Sequence, residues 1–257
     1  MTGFHAYELM LGDCLERMRE IPDGSVDMVL ADLPYGTTAC KWDAVIPFEP
    51  LWAHYKRVCK PNAAIVLTAS QPFTSALVMS NPRMFKHEWI WAKNKGSNFL
   101  NTKREPMKEH ESALVFSAGA WTFNQQLEER APSGAARVKS AVGGATVQSD
   151  NYSLLGLGRG KVYASLRCPR SWQRFNVERG LHPTQKPVAL MEYFIRTYSN
   201  PGELILDNTM GSGTTGVAAV NTGRRFIGIE MEPKYLEICK IRLAEASVQI
   251  PLLNEVA

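Results

Sequence analysis

Cysteine is scarce in this sequence, and the few present are poorly placed for structural chemistry. The 257 residues include five cysteines, at positions 14, 40, 59, 168 and 239. They are odd in number, widely separated and without the spacing of a metal site, so neither a disulfide framework nor structural zinc is expected. We therefore predict a reduced, cytoplasmic protein with no bound metal.

Long apolar runs are also missing. The apolar stretches reach only the length of strands, and residues 1–25 carry acids without an extended apolar segment. Neither a membrane-spanning helix nor a secretory signal is therefore predicted. The chain instead has 45% hydrophobic residues, enough at this length to bury one sizeable core.

Apolar segments of strand length alternate with helical segments along most of the chain. This order predicts an α/β fold with a largely parallel sheet that helices cover on both faces. We predict strands at 6–11, 26–31, 63–68, 87–92, 112–117, 203–207 and 225–229, and helices near 13–20, 48–59, 72–80, 187–198, 214–222 and 232–246.

A glycine-rich turn follows one of these strands. Residues 205–216 read ILDNTMGSGTTG, with the G-x-G-x-x-G spacing of a nucleotide-binding turn. Glu230 ends the next strand, where an acid can hold ribose hydroxyls. Only residues 231–257 follow, so the rest of the sheet must come from the N-terminal half. This order argues against an NAD enzyme and favours a permuted nucleotide-binding fold.

A second informative run begins with the predicted buried strand at 26–31. It ends in Asp32-Leu33-Pro34-Tyr35, which supplies an acid, a rigid turn and an aromatic ring. Ligands of open α/β sheets bind beyond the carboxyl ends of the strands. We therefore expect this tetrapeptide to lie beside the glycine-rich turn.

The two runs together resemble the DNA amino methyltransferases. The catalytic motif of that family is [D/N/S]-P-P-[Y/F/W], and its S-adenosylmethionine loop reads D-P-F-x-G-S-G-T-T. The order found here, with the catalytic motif first, is similar to the β group of the family. Gly12-Asp13-Cys14 and the run from His182 to Pro187 fit the same pattern, and the matched stretches cover 8–60, 86–117 and 182–240.

The resemblance implies a circularly permuted, Rossmann-like methyltransferase sheet with helices on both faces. Residues 1–130 would form the catalytic half of the domain, residues 131–181 an inserted target-recognition region, and residues 182–257 the cofactor-binding half. It also suggests that the end of the sheet holding strands 87–92 and 112–117 includes an antiparallel strand.

The tetrapeptide suits methylation of an exocyclic amine. Such an amine is a poor nucleophile because its lone pair is delocalised into the ring. Hydrogen bonds to the Asp32 carboxylate and the Leu33 carbonyl would localise that lone pair. Pro34 restrains Leu33 towards extended geometry, and Tyr35 would stack on the base. These groups reach a base only outside the duplex, so base flipping is implied.

The resemblance also assigns a site for S-adenosylmethionine. Asp207 is expected near the ammonium group and Glu230 at the ribose, whereas Asp13 and Cys14 would lie near the adenine. Free N–H groups of the helix that follows the glycines favour the cofactor's carboxylate. The loop residues predicted to contact the cofactor are Gly211, Ser212, Gly213, Thr214 and Thr215.

His182 and Lys186 flank the pocket entrance in the resembling family. We include both among the predicted cofactor-binding residues. For His182 taken alone, an ordinary loop histidine is an equally good interpretation.

Basic charge is concentrated in residues 131–181. This segment has eight Lys and Arg against two Asp and Glu, a net charge of +6, whereas the whole chain carries +4. Aromatic residues are interleaved with the cations, a mixture that suits phosphates and bases. A solvated basic face is the alternative interpretation. The predicted DNA-binding residues are Arg167, Arg170 and Arg174.

We therefore predict a site-specific methyltransferase that uses S-adenosylmethionine to methylate adenine N6 in duplex DNA. Cytosine N4 is the alternative target atom. Transfer should be direct, since Cys168-Pro169 reverses the Pro-Cys order of enzymes that form a covalent intermediate. Less favoured alternatives are an NAD dehydrogenase, an RNA or protein methyltransferase and a non-catalytic DNA-binding module.

The sequence leaves the partners partly open. Relatives in the β group often form homodimers, but the oligomeric state does not follow from these residues. The recognition sequence is also open, as is the presence of a restriction nuclease that would make this chain part of a restriction-modification pair.

Overall fold

The structure, a computed structural model, describes residues 6–37, 43–134, 136, 165–178, 180 and 185–254. His182 and most of the predicted target-recognition region lie outside the described residues. The described chain divides into two compact units, one from residues 1–124 and 171–257 and the other from residues 125–170.

The larger unit is built around an eight-stranded sheet. Its strands are β1 (Tyr7–Leu11), β2 (Val26–Asp32), β3 (Cys59–Ala69), β4 (Phe85–Ser97), β5 (Lys108–Phe116), β8 (Trp172–Phe175), β9 (Leu204–Asp207) and β10 (Arg225–Glu230), whereas β6 (Glu128–Glu129) and β7 (Leu166–Arg167) belong to the smaller unit. The helices are α1 (Cys14–Arg17), α2 (Phe48–Val58), α3 (Phe73–Ser80), α4 (Val188–Tyr198), α5 (Thr214–Asn221) and α6 (Pro233–Asn254), with single 3₁₀ turns at Met18–Glu20 and Phe99–Asn101.

The strand order across the sheet is β1-β10-β9-β2-β3-β5-β4-β8. The five strands from β1 to β3 in this order pair in parallel, and β5 runs antiparallel to both β3 and β4. Each of the seven predicted strands and six predicted helices is present. The predicted antiparallel strand at this end is β5, and the α/β fold class is confirmed.

Two apolar cores cover the two faces of the sheet. Strand β2 contributes to both because it is buried along its length, so alternate side chains enter opposite layers. Val29 and Ala31 pack with helices α2 and α3, whereas Met28 and Leu30 pack with helices α4 to α6. A central strand buried on both faces explains why 26–31 is a nearly continuous apolar run.

Strand β8 was not predicted. Residues 172–175 pair in parallel with 90–93 of β4 and form the edge of the large sheet. Their alternating pattern, WQRF, lies in a segment that we assigned by charge to the insertion. The larger unit therefore includes residues from 171 onward, and the smaller unit begins at residue 125.

The smaller unit contains a two-stranded antiparallel sheet. Glu128 of β6 pairs with Arg167 of β7, and Glu129 pairs with Leu166. The Arg130 guanidinium donates to the Leu166 carbonyl at 2.9 Å.

Within the described residues, no helix combines the length and apolar character that crossing a bilayer requires.

Candidate active site

Strands β2 and β9 lie side by side in the centre of the sheet. They pair in parallel, with Met28 opposite Ile205, and the chain leaves them towards opposite edges of the sheet. Such a switch point opens a crevice at the carboxyl ends of the strands. A cavity of about 1180 Å³ lies there, with Asp32 and Asp207 both in its wall.

The loops after these two strands are also joined directly. The Thr209 hydroxyl donates to the backbone carbonyl of Asp32 at 3.1 Å. The predicted convergence of the acid-containing turn and the glycine-rich turn is therefore present in the fold.

Asp32 is surrounded by donors from three other elements. The Tyr35 hydroxyl donates to Oδ1 at 2.8 Å, and the Thr68 hydroxyl of β3 donates to the same oxygen. The Lys186 ammonium donates to Oδ2 at 2.6 Å. Three different donors fix the carboxylate, and 23% of its side-chain surface remains exposed at the cavity.

Lys186 is buried and belongs to a chain of alternating charges. Its ammonium also lies 3.2 Å from Oε2 of Glu111, and Lys93 pairs with the other oxygen of Glu111. Burial alone would lower the pKa of Lys186, but Asp32 and Glu111 together raise it. Lys186 therefore stays protonated and holds two carboxylates together.

We predicted Lys186 at the pocket entrance with a cofactor role. Its side chain lines the cavity but is only 6% exposed, and its charged contacts are with Asp32 and Glu111. The cofactor role stays a prediction. Glu111 and Thr68 were not singled out at all. They lie on β5 and β3, and no motif in either strand indicates their role.

Tyr35 packs closely against the protein. Its ring stacks on Phe73 with centroids 5.2 Å apart and an interplanar angle of 26°. The Lys186 ammonium lies 5.6 Å from the ring centroid. Burial and the nearby Asp32 raise the pKa of Tyr35 well above its ordinary value, so the phenol is neutral and can donate.

The turn after Asp32 is held by a buried acid that we did not predict. The two oxygens of Asp43 accept from the backbone N–H groups of Gly36 and Thr37, each at 2.9 Å. Gly36 has a φ of 68°, a left-handed conformation that glycine adopts without strain. Leu33 is buried and lines the cavity together with Asp32. The contact of its carbonyl with a ligand stays a prediction.

The glycine-rich turn begins α5 through Gly213. This residue has a φ of 80°, and a Cβ built on it would lie 2.3 Å from the Cys239 sulfur of α6. The close approach that demands glycine here is thus to α6.

Glu230 links three backbone segments at the same end of the sheet. Its carboxylate accepts from the N–H of Gly211 at 2.9 Å and of Glu232 at 2.8 Å. Its backbone carbonyl accepts from Gly12 at 2.9 Å. Burial is the main cause that raises the pKa of Glu230.

Asp207 is the most deeply buried acid of the cavity wall. Its carboxylate accepts from the Thr209 N–H at 3.0 Å, and burial raises its pKa to about 7. Among the described residues, neither Asp207 nor Glu230 has a cation within ion-pair distance. A buried acid and a partly buried one without a nearby cation suit a positively charged ligand.

Asp13 and Cys14 lie at the start of α1, where the cavity continues. Asp13 caps the helix, accepting from the Leu15 N–H at 2.8 Å. Burial raises the pKa of the Cys14 thiol to about 11, so it stays protonated and cannot serve as a nucleophile.

Arg242 of α6 is a further residue that the sequence did not indicate. Its guanidinium donates to the Ser212 carbonyl at 2.7 Å and to the Thr214 hydroxyl at 3.2 Å. Arg242 therefore holds the glycine-rich turn against α6. Ser212, Thr214 and Thr215 all line the cavity.

The three predicted DNA-binding arginines have different environments. Arg167 forms two contacts with the Glu128 carboxylate, at 3.0 and 2.9 Å, so its charge is largely matched within the smaller unit. Arg170 is exposed in that unit, and Arg174 is exposed on β8 of the larger unit.

Of the described residues, no cluster of His, Cys, Asp and Glu could hold a metal ion.

Comparison with known proteins identifies the family. The model of a family described as DNA methylase matches residues 26–241. The chain belongs to this family.

Relatives cover nearly the whole chain. A protein of Escherichia coli K12 named DNA adenine methyltransferase YhdJ is 30% identical over 95% of this chain and 85% of its own length. The Type II methyltransferase M.HinfI of Haemophilus influenzae is 28% identical over 92% of this chain and 68% of its own length.

Solved structures agree with the fold. The M1.HpyAVI–SAM complex is 26% identical, with a TM-score of 0.63 over 92% of this chain and 98% of that one. A cytosine-N4-specific PvuII methyltransferase is 15% identical at the same TM-score, over 95% and 94% of the two chains, a likeness of fold alone. The chain is a DNA methyltransferase of the N6/N4 amino class, and S-adenosylmethionine is its cofactor.

Proposed function

We propose that this chain methylates the N6 amino group of adenine in duplex DNA after turning the base out of the helix. The observation that carries the proposal is the Asp32 carboxylate, held rigidly at the cofactor cavity with part of its surface open. The relative named as an adenine methyltransferase, 30% identical over almost the whole chain, supports this target atom.

Asp32 retains capacity for the target amine. A carboxylate offers about four lone-pair sites, and the donors Tyr35, Thr68 and Lys186 use no more than three of them. In our proposal the remaining site accepts one N–H of the amine, and the carbonyl of Leu33, which also lines the cavity, accepts the other. These two bonds localise the nitrogen lone pair and orient it for attack.

The neighbours of Asp32 fix its geometry. The Lys186 ammonium and the Tyr35 phenol both donate to the carboxylate. Glu111 and Lys93 balance the charge of the group, so no net charge is buried. The exposed part of Asp32 can then interact with an amine that becomes cationic during transfer.

The cofactor supplies an electrophilic methyl group and carries positive charge. In our proposal Asp207 contacts its ammonium end and Glu230 its ribose, with Asp13 and Cys14 near the adenine. The turn from Gly211 to Thr215 holds the carboxylate end.

We further propose that residues 131–181 supply the target-recognition region. Arg170 and Arg174 are the stronger candidates for phosphate contacts, because both are more exposed than Arg167. The two flanking segments, 1–130 and 182–257, would then form the catalytic and cofactor-binding halves of one domain. The circular permutation stays a prediction.

Mass spectrometry of nucleosides from DNA methylated by this chain tests the target atom. Unmethylated genomic DNA is incubated with S-adenosylmethionine and digested, and Asp32→Asn serves as the control. We expect N6-methyldeoxyadenosine. A product containing only N4-methyldeoxycytidine would assign cytosine and leave the cofactor argument intact.

The same reaction tests the remaining alternatives. Duplex DNA and RNA are offered together in equal mass, with methyl incorporation measured in each. We expect incorporation into DNA. Preferential methylation of RNA would contradict the proposal.

A further inference from the structure

The hairpin that joins β4 to β5 combines exposed apolar side chains with basic ones. Phe99 and Leu100 at its tip are 69% and 82% exposed. Residues 93–108 include five Lys or Arg and one Glu. Two adjacent, large apolar side chains open to water indicate a contact surface, and the positive charge around them favours an anionic partner.

The tip of this hairpin is ordered by its own hydrogen bonds. Asn98 has a φ of 69°, and its Oδ1 accepts from the Asn101 amide at 2.7 Å. The Thr102 hydroxyl donates to the Phe99 carbonyl at 3.1 Å. A short 3₁₀ turn thus presents Phe99 and Leu100 in a fixed arrangement, which lowers the entropy lost on binding.

The base of the hairpin is part of the wall of the active-site cavity. Lys95, Gly96, Ser97 and Lys108 line the same cavity as Asp32. Ser97 pairs with Lys108 across the two strands. The base of the hairpin therefore borders the cavity that a target base would enter.

We propose that Phe99 and Leu100 enter the DNA base stack next to the target base, while Lys103 and Arg104 contact phosphates. The inference rests on the proposed function, because a base that leaves the duplex exposes a gap. Unstacking is costly, and an apolar side chain that fills the gap offsets part of that cost. The basic flanks and the shared cavity wall favour DNA over a protein partner.

The test compares two short duplexes that contain the methylated site identified by sequencing DNA from cells expressing the chain. One duplex is fully paired, and the other has a mismatch opposite the target base, so flipping is easier. We measure kcat/KM for the wild type and for Phe99→Ser/Leu100→Ser. We expect about a tenfold or greater loss on the paired duplex and less than about threefold on the mismatched one.

Two further variants separate the apolar contribution from charge and from folding. Met79→Ser on α3 removes another apolar side chain, 72% exposed, and should change neither rate. Lys103→Ser/Arg104→Ser should lower kcat/KM on both duplexes by similar factors, since phosphate contacts do not depend on pairing. Unchanged cofactor affinity in the double variant shows that it is folded.

The outcomes distinguish this inference from the proposed function. Equal losses on the two duplexes, or no loss on the paired one, would contradict insertion into the stack while leaving methylation intact. A wild-type chain that methylates neither duplex would overturn the proposed function, and the insertion with it.

Discussion

Asp32 at the end of β2 is surrounded by donors from the chain itself, whereas Asp207 and Glu230 at the ends of β9 and β10 have no ion-pair partner among the described residues. The two groups of acids lie on one cavity. Burial raises the pKa of Asp207 to about 7 and also raises that of Glu230.

The presence or absence of an ion-pair partner distinguishes the two regions. The region around Asp32 is assembled by the chain itself, whereas we propose that a ligand completes the region around Asp207 and Glu230. On the catalytic side, Lys186 supplies a cation permanently, so the carboxylate is fixed before DNA binds. On the cofactor side, we propose that the ligand supplies the missing cation. Substitutions on the catalytic side should therefore reduce transfer and stability, whereas those on the cofactor side should change affinity and its pH dependence.

Removing the cation of the catalytic side should have the largest effect. Lys186→Met leaves Asp32 and Glu111 without their shared partner, so we expect about a hundredfold loss of methyl transfer or more. The free energy of unfolding should fall by about 3 kcal/mol, since breaking a buried pair leaves uncompensated charge. Denaturant titration and methyl incorporation measure the two effects.

A surface pair provides the control for this substitution. Lys240 pairs with Glu237, and both side chains are at least half exposed. Lys240→Met should change the free energy of unfolding by less than about 1 kcal/mol. Transfer by Lys186→Met within about tenfold of the wild type would contradict the proposed role of the catalytic side.

Glu230→Ala should weaken cofactor binding by about tenfold, because it removes ribose acceptors and the contact that holds the Gly211 N–H. Isothermal titration with S-adenosylmethionine measures the loss. Glu237→Ala, an exposed acid on α6, is the matched control and should bind normally. Identical titration curves for the wild type and Glu230→Ala would mean that the cofactor does not use this carboxylate.

The raised pKa of Asp207 predicts that pH has opposite effects on cofactor binding and on the stability of the cofactor-free chain. Its ionised form attracts a cationic ligand, so cofactor affinity should fall from pH 8 to pH 6, by at most about tenfold per pH unit. An acid whose folded-state pKa is raised loses stability as pH rises through that value. The cofactor-free chain should therefore become less stable from pH 6 to pH 8.

Titrations of Asp207→Asn test this assignment. The variant should bind the cofactor weakly, with a flatter pH dependence. A variant that keeps the wild-type pH dependence would assign the effect to another group.

Neutralising Arg167, Arg170 and Arg174 together should have the smallest effect. We expect a few-fold weaker DNA binding and a shallower dependence on salt, because each phosphate contact releases counterions. Since Arg167 already pairs with Glu128, Arg167→Ser alone should change the slope least. An unchanged slope for the triple variant would locate recognition elsewhere.

The main elements and the meeting of the two turns could be predicted from sequence. Apolar strands and helices alternate regularly, and a parallel sheet brings strand ends to one edge. The partners of Asp32 could not be predicted. Thr68 lies opposite Asp32 only through the register of β2 and β3, and Glu111 comes from an antiparallel strand.

Two other features show the same limit. Gly213 fits a cofactor motif. A Cβ built on it, however, would lie closest to the sulfur of Cys239, 26 residues further along the chain. We did not single out the basic hairpin at 93–108 in the sequence. The net charge of the residues outside 131–181 is slightly negative, and this sum obscures a local group of cations. Both features depend on how distant segments pack together. Local sequence patterns do not contain that information.

The most direct test measures methyl transfer and cofactor binding in one preparation of Asp32→Asn. The amide keeps the shape of the carboxylate but loses the charge that accepts the target amine and pairs with Lys186. We predict that incorporation of labelled methyl groups into duplex DNA falls at least about a hundredfold, with cofactor affinity within about threefold of the wild type. Transfer within about tenfold of the wild type, or an equal loss of cofactor binding, would contradict the assignment of Asp32.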